Sequence, residues 1–270
     1  MKIGHIRKLK SVHNPKDNSV SYNLPLEGEG QQSIALNEHV GSKLKLVHTG
    51  LKKCIASDKV VKKTYGQGYS WESYMTLAQC DQCIFQPELC HYAKGTCREP
   101  EWGEANCMQP HVVYLSVTSD LKIGITRKVN VPTRWVDQGA VAAIPLFEVK
   151  NRLTSGLVEV EIAKNMSDKT NWRNMLKNKY PEVDLLAEKK KLIKEFSELL
   201  GKHEITPIED QVYNFIYPVE KYPEKVKSLN FDKDPEVGGT LLGIKGQYLI
   251  FDTGVINMRK FQGYEIEVHC

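Results

Sequence analysis

Val112-Val-Tyr-Leu-Ser-Val-Thr-Ser-Asp-Leu-Lys-Ile-Gly-Ile-Thr126 is the stretch on which the reading of this chain turns. Two apolar, β-branched runs flank Thr118-Ser-Asp120, a cluster of turn formers, so the stretch predicts a β-hairpin with strands 112–117 and 121–126. Just beyond it, Pro132 stands where a helix can begin, because proline is tolerated in a first turn. A short helix over Thr133 to Gln138 comes next, with Gly139 placed to end it. Ala143-Ile-Pro-Leu-Phe-Glu-Val149 reads as a third strand, and Pro145 marks an edge or a bulge, since it donates no ladder hydrogen bond. The next segment is open. Thr154-Ser-Gly can cap a helix running to Asn165, whereas Val158-Glu-Val-Glu-Ile162 alternates strictly, as a strand does. Lys169 to Leu176 reads as a second short helix. From Pro181 to Leu200, the spacing of Leu186, Ile193 and Leu200, with Phe196 beside them, marks an amphipathic helix ended by Gly201. Its Lys189-Lys-Lys191 run reads as the wet face.

Both ends of the chain are strand-rich. Ser19-Val-Ser-Tyr-Asn-Leu24 and Lys43-Leu-Lys-Leu-Val47 alternate, and Gly28-Glu-Gly30 is a turn. Gln247-Tyr-Leu-Ile-Phe251 and Tyr264-Glu-Ile-Glu-Val268 are extended. The glycine-rich Gly238 to Gly246 stretch lacks the Gly-Lys-Ser/Thr ending of a phosphate loop, and no clear helix succeeds it, so it reads as bending strand. The fold class is therefore α+β. The expected parts are a β-rich N-terminal part (1–79), a cysteine-rich segment (80–110), a small mixed core (111–180), and an amphipathic helix with a β-rich C-terminal part (181–270). The two β-rich ends are expected to pair into one domain.

Seven cysteines stand at 54, 80, 83, 90, 97, 107 and 270, and five of them fall within 28 residues. An odd total without a secretory leader argues against a disulfide framework. Clustered thiols in a reducing compartment more often hold zinc, with Cys-x-x-Cys supplying two sulfurs and later residues closing the tetrahedron. Cys80, Cys83, Cys90, Cys97 and Cys107, with His91, compete for four positions; Cys83, Cys90, Cys97 and Cys107 are the first set, and Cys80 can replace one of them. The surrounding Pro87, Gly95, Pro100, Gly103 and Pro110 make knuckle and turn, which metal would help to fold. Upstream, Cys54-Ile-Ala-Ser57 and Ser70-Trp-Glu-Ser73 repeat a zinc-ribbon spacing with one cysteine left of four. That pattern reads as a ribbon without its metal, packed by Tyr65, Tyr69, Trp71 and Tyr74.

The 270 residues carry 37 basic and 33 acidic side chains, a net +4, and are 41% hydrophobic. That balance excludes wholesale disorder and coiled coil. The longest apolar runs, such as Ala140 to Leu146, fall far short of the ~20 residues that a membrane span needs. With Met1-Lys-Ile-Gly-His at the start, the expectation is a cytoplasmic protein without a membrane partner. From His111 to Tyr180 there are 11 Lys/Arg against 6 Asp/Glu, and from Asp81 to Pro110 there are 2 against 5. A basic middle segment is compatible with phosphate contact.

The hairpin and the roughly fifty residues after it resemble the GIY-YIG nuclease superfamily, which carries a tyrosine in its first strand, Ile-Gly in its second, an arginine in its first helix and a metal-binding glutamate in the next. Here Val112-Val-Tyr114, Lys122-Ile-Gly124, Arg134 and Glu159 match in that order, with Glu161 the alternative carboxylate and Asn171 a further polar match. Lys122 stands where many members have tyrosine, and Val112 where they have glycine. The chain as a whole also resembles an uncharacterised bacterial family that places zinc-binding cysteines ahead of such a module. The stretches that carry this likeness are Pro87-Glu-Leu-Cys-His-Tyr, Gly95-Thr-Cys-Arg-Glu-Pro, Thr133-Arg-Trp-Val-Asp-Gln-Gly139 and Gly243-Ile-Lys-Gly-Gln-Tyr.

The nuclease resemblance favours helix over strand at 154–165. It implies that Glu159 holds one Mg²⁺ or Mn²⁺, that Arg134 offsets charge growing on the phosphate, and that Tyr114 positions or deprotonates a water with help from Lys122. Arg127 and Lys128 add charge where a nucleic-acid backbone, DNA or RNA, would lie. The expected function is metal-dependent phosphodiester cleavage beside a structural Zn²⁺. The alternatives are a catalytically silent nucleic-acid-binding protein and a protein-interaction scaffold.

Overall fold

A computed structural model describes residues 1–28, 30–166 and 169–270. In chain order the strands are β1 (Lys2–Ile6), β2 (Lys10–His13), β3 (Val20–Gly28), β4 (Gly30–Ala35), β5 (Lys43–Lys52), β6 (His111–Val117), β7 (Leu121–Arg127), β8 (Ala142–Val149), β9 (Tyr213–Asn214), β10 (Glu236–Lys245), β11 (Tyr248–Phe251), β12 (Gly254–Asn257) and β13 (Tyr264–His269). The α-helices are α1 (Trp71–Thr76), α2 (Pro100–Cys107), α3 (Thr133–Asp137), α4 (Arg152–Ala163), α5 (Trp172–Leu176), α6 (Leu185–Glu195) and α7 (Ser197–Lys202). The protein is α+β, and the chain divides into two compact units: residues 1–75, 176–178 and 216–270, and residues 76–175 and 179–215.

In the first unit, strands from both ends of the chain share one antiparallel sheet in the order β12-β11-β10-β5-β13-β1-β3-β2, with β4 also paired to β3. β1 pairs with β13 from Lys2↔Val268 to His5↔Glu265, and β5 lies between β13 and β10. The alternation read from the sequence is the cause of the inner face: Val20, Tyr22, Leu24 and Leu26 of β3 are all buried, as are Leu44 and Leu46 of β5. Burying each such side chain contributes roughly 1.5–3 kcal/mol. The glycine-rich run is part of β10, as strand and not phosphate loop. Gly28 pairs with Gly30 across the β3–β4 hairpin, and Glu29 of the expected turn lies outside the described residues.

The second unit is built on a four-stranded antiparallel sheet, order β7-β6-β8-β9. The expected hairpin is β6–β7, with Tyr114 directly opposite Gly124 and Ser116 opposite Lys122. Period-2 alternation sorts its side chains onto two faces. Val113, Leu115, Val117 and Ile123 join a core with Val158 and Ile162 of α4, Leu185 and Leu192 of α6, and Leu200 of α7. Tyr114 faces the other way, where Trp135 of α3 packs edge-on against it, ring centroids 5.5 Å apart. Pro145 lies opposite Tyr114, where the β6–β8 register shifts, so its missing N–H falls at a bulge. Gly139 ends α3 with φ +73°.

The ambiguous segment is helix α4. Val158 and Ile162, four residues apart, are both fully buried, whereas Val160 between them is 40% exposed. That is helical and not strand spacing. Its cap is Asn151, whose side chain accepts from the Thr154 amide, not Thr154 itself. The helix expected from Pro181 to Leu200 differs more. It starts at Leu185 behind the Asp184 cap and breaks at Phe196, and Gly201 lies within α7. Its buried stripe is Leu185, Lys189 and Leu192, so Leu186 is exposed and Lys189 leaves the wet face. The Lys189 ammonium replaces water with the carbonyls of Ile208 (2.6 Å) and Glu209 (3.1 Å) and the Asp210 carboxylate (2.9 Å). Three acceptors offset the cost of burying the charge. Residues 181–215 accordingly belong to the second unit and not with the C-terminal strands.

Candidate functional site

The cysteine-rich segment folds as a string of short 3₁₀ turns from Ala78 to Lys94 succeeded by α2. Its turns surround a cavity of about 10 Å³, large enough for one ion or one water. Cys83, Cys90, Cys97 and Cys107 line it together with Asp81 and His91. Cys80, also proposed as a ligand, is buried but does not line the cavity. Burial, then the charges of Asp81, Cys90 and Cys107, pushes the Cys83 thiol up to about 11. Burial also raises Cys107, which Cys90 and Cys97 reinforce and Arg152 opposes. The thiols thus lie within electrostatic reach of one another, in a place where a cation would stabilise their ionised forms.

Two donor sets overlap here. Ligand atoms of Asp81, Cys83 and His91 lie within 4.8 Å of one another. Asp81 is already engaged by Arg98 at 2.8 Å and by His91 Nε2 at 3.5 Å, and His91 Nδ1 lies 2.8 Å from the Thr96 hydroxyl. Asp81, Cys83 and His91 could hold a metal ion together, and Cys90, Cys97 and Cys107 line the same cavity. Asp81 is the group that sequence reasoning missed; its place inside Cys80-Asp-Gln-Cys83 was the available signal.

The second cluster lies on the Tyr114 face of the hairpin. Tyr114 is fully buried; its hydroxyl donates to Gln138 Oε1 at 3.0 Å and accepts from Arg134. Burial pushes the phenol above its ordinary value; the Arg134 charge opposes this, and the Glu159 charge adds to it. Gly124 is glycine for a steric reason. A Cβ there would stand 2.7 Å from the Tyr114 hydroxyl, so the tyrosine ring occupies the space that a side chain on the facing strand would need. Lys122 is buried on the same face, opposite Ser116. Arg134 and Glu159 are half-buried, and both act electrostatically on Arg152 as well as on Tyr114. Glu161, the alternative carboxylate, is tied to Lys164 at 2.5 Å on the helix surface.

Other expected residues are engaged locally. Arg127 donates to Asn106 Oδ1, and Lys128 pairs with Glu148 at 2.8 Å, so neither projects unpaired toward a nucleic-acid backbone. Asn171 accepts from the Asn174 amide as the cap of α5. Sequence reasoning missed Gln138 and Arg152. Gln138 closes the Thr133-Arg-Trp-Val-Asp-Gln run that carried the family likeness; nothing in the spacing marks Arg152.

The upstream ribbon pattern is also a spatial cluster. Cys54 Sγ lies 3.3 Å from Ser73 Oγ, which lies 3.1 Å from Ser70 Oγ. Burial pushes the Cys54 thiol up, but hydrogen bonds from Ser57, Ser73 and the Ser70 and Ala56 backbone outweigh it and bring it down to about 6. Tyr65 and Trp71 pack beside it, centroids 5.0 Å apart.

Fold and site define a mixed α+β protein with a cysteine-lined cavity suited to a metal ion beside an antiparallel hairpin core. The chain belongs to the DUF2797 family, described as proteins of unknown function, whose model matches residues 41–266. No curated protein and no solved structure matches it. Among the described residues, no helix is long and apolar enough to cross a membrane.

Proposed function

We propose that this protein cleaves phosphodiester bonds in nucleic acid through Arg134 and Glu159, with Tyr114 as the brace between them and a structural Zn²⁺ in the cysteine cavity. The observation that carries the reading is that Arg134 and Glu159, 25 positions apart on two helices, both act on one buried phenol that itself fills the space over Gly124. That shared electrostatic influence on Tyr114 supports reading strand-Tyr, strand-Ile-Gly, helix-Arg and helix-Glu as one site.

Each residue has a defined task. The raised Tyr114 phenol stays protonated at neutral pH, so it holds Gln138 and Arg134 in place and does not act as a base. Arg134, so held, offsets negative charge that grows on phosphate oxygens during cleavage. Glu159 is the carboxylate that would hold a divalent ion, which supplies Lewis acidity at the phosphate; magnesium sites commonly use one or two carboxylates with waters. For the cavity, Cys83, Cys90, Cys97 and Cys107 are the preferred zinc ligands, because four thiolates close a structural site and Asp81 is committed to Arg98. One observation favours a second reading, a silent nucleic-acid-binding core: Tyr114 is fully buried and so touches no substrate.

The test incubates wild type and Glu159→Gln with plasmid DNA and structured RNA, in Mg²⁺, Mn²⁺ or EDTA. Metal-dependent cutting that Glu159→Gln loses supports cleavage. Salt-sensitive binding by both proteins without cutting moves the assignment to the second reading.

A further inference from the structure

Between the two clusters lies a residue that neither reading uses. Arg152 opens α4, the helix that carries Glu159. Its guanidinium turns back onto the knuckle, donating to the Ile84 carbonyl at 2.6 Å and reaching the Cys83 carbonyl at 3.5 Å. Its charge acts on Cys107 and Cys83 on one side and on Glu159 and Arg134 on the other. One turn further along α4, Gly156 brings the helix backbone against the same knuckle: a Cβ there would stand 2.5 Å from Pro87 Cβ and 2.6 Å from the Glu88 amide nitrogen. Ser155 Oγ is buried and donates to the Arg152 carbonyl at 2.7 Å, which fixes the turn between these two contacts. Helix and cysteine segment are therefore in close contact over one full turn.

From this geometry we infer that Arg152 is the counter-ion of the cysteine metal centre and the positioning residue through which that centre sets α4, and with it Glu159. Four thiolates around one divalent cation leave two negative charges unbalanced. Arg152 is a guanidinium next to two of the thiols, and Arg127 is a second cation acting on Cys107. A planar guanidinium can hold the two carbonyls and still present its charge, which an amine on a flexible stem does less well. Metal in the cavity orders the turns around Cys83; those turns hold Arg152 and Gly156, and so set α4. The consequence for Glu159 rests on the proposed cleavage site, whereas the consequence for metal binding and for α4 does not.

The experiment uses the 270-residue chain loaded with Zn²⁺ and two readouts that need no substrate. Zn²⁺ affinity is measured by chelator competition in wild type, Arg152→Gln and Arg152→Lys, and amide hydrogen exchange of 155–163 is monitored with and without chelation. Loss of an outer-sphere partner typically costs about 10–100-fold in metal affinity. Arg152→Gln is expected to show that loss, and Arg152→Lys, which keeps the charge but holds the two carbonyls less well, to recover part of it. Chelation of wild type is expected to accelerate exchange along α4 while β1 and β13 keep their protection. Unchanged affinity in Arg152→Gln, an Arg152→Lys affinity as weak as that of Arg152→Gln, or α4 exchange indifferent to chelation would each overturn the inference. If Arg152→Gln does not fold, the wild-type chelation arm decides alone. Weakened metal binding and a loosened α4 in a protein that cuts no nucleic acid would uphold the inference and defeat the cleavage reading.

Discussion

Replacing Gly156 by alanine sets two physical effects of opposite sign against each other. In an isolated helix the change stabilises by about 1 kcal/mol, because glycine loses more backbone freedom than alanine. At this position the new Cβ would lie 2.5 Å from Pro87 Cβ, 2.6 Å from Glu88 N and 2.8 Å from Pro87 C, where ordinary contact begins at 3.4 Å. The obstruction is mostly backbone, so no side-chain rotation relieves it, and helix and knuckle must part by several tenths of an ångström. Overpacking of this kind costs roughly 1–3 kcal/mol, and backbone obstruction places it at the upper end. The net expectation is a loss of about 2 kcal/mol in the second unit. Gly201 in α7 is the control, since nothing lies within 4 Å of its Cβ position and only the propensity gain remains. Urea unfolding of the zinc-loaded proteins, monitored by tryptophan fluorescence and by exchange of α4 amides, measures both variants. If Gly156→Ala came out as stable as Gly201→Ala, the close seat of α4 on the cysteine turns would be refuted.

Metal analysis of purified protein should give close to one equivalent of zinc; less than about half an equivalent, with all thiols titrating freely, would remove zinc from the cavity. Lys245 is fully buried, with its amine donating to Asn178 Oδ1 at 2.7 Å, and burial pulls it down to about 7. The unfolded chain then binds more protons between about pH 7 and 10.4, so stability should rise with pH across that window and level off below it, by up to ~1.4 kcal/mol per pH unit; Lys245→Met should flatten the slope in pH-dependent denaturation, and an unchanged slope would contradict the assignment. Converting Ser57, Ser70 and Ser73 together to cysteine should add a second metal equivalent at Cys54, visible as a Co²⁺–thiolate absorption, and absence of that band would mean that the four positions do not form a ligand tetrahedron. Arg134→Ala should lower cleavage by roughly 10²–10³-fold if the proposed site is active, measured as single-turnover rate on plasmid.

Much of the local structure was legible because its causes are local. Alternation in β3, β5 and β6, the turn residues between β6 and β7, and the glycine after α3 each act within a few residues. The clustering of five thiols was equally plain, and four of them line one cavity. Where local signals conflicted or were silent, packing decided the outcome. Strict alternation at 158–162 competed with the helix that the nuclease resemblance favoured, and a core contacting Val158 and Ile162 selects that helix. A lysine run read as a solvated face because the acceptors that receive Lys189 lie about twenty residues onward, at 208–210.

What the amino-acid sequence determined alone is therefore the α+β class, the hairpin of β6 and β7, and a cysteine cluster with metal-binding composition, since these arise from periodicity, turn chemistry and donor type. The tertiary structure decided the pairing of β1 with β13 across the length of the chain, the gathering of Cys83, Cys90, Cys97 and Cys107 around one cavity, and the contact of Arg152 with the carbonyls of Cys83 and Ile84. Those depend on which surfaces meet after burial, and no spacing along the chain encodes a contact whose partners are chosen by packing.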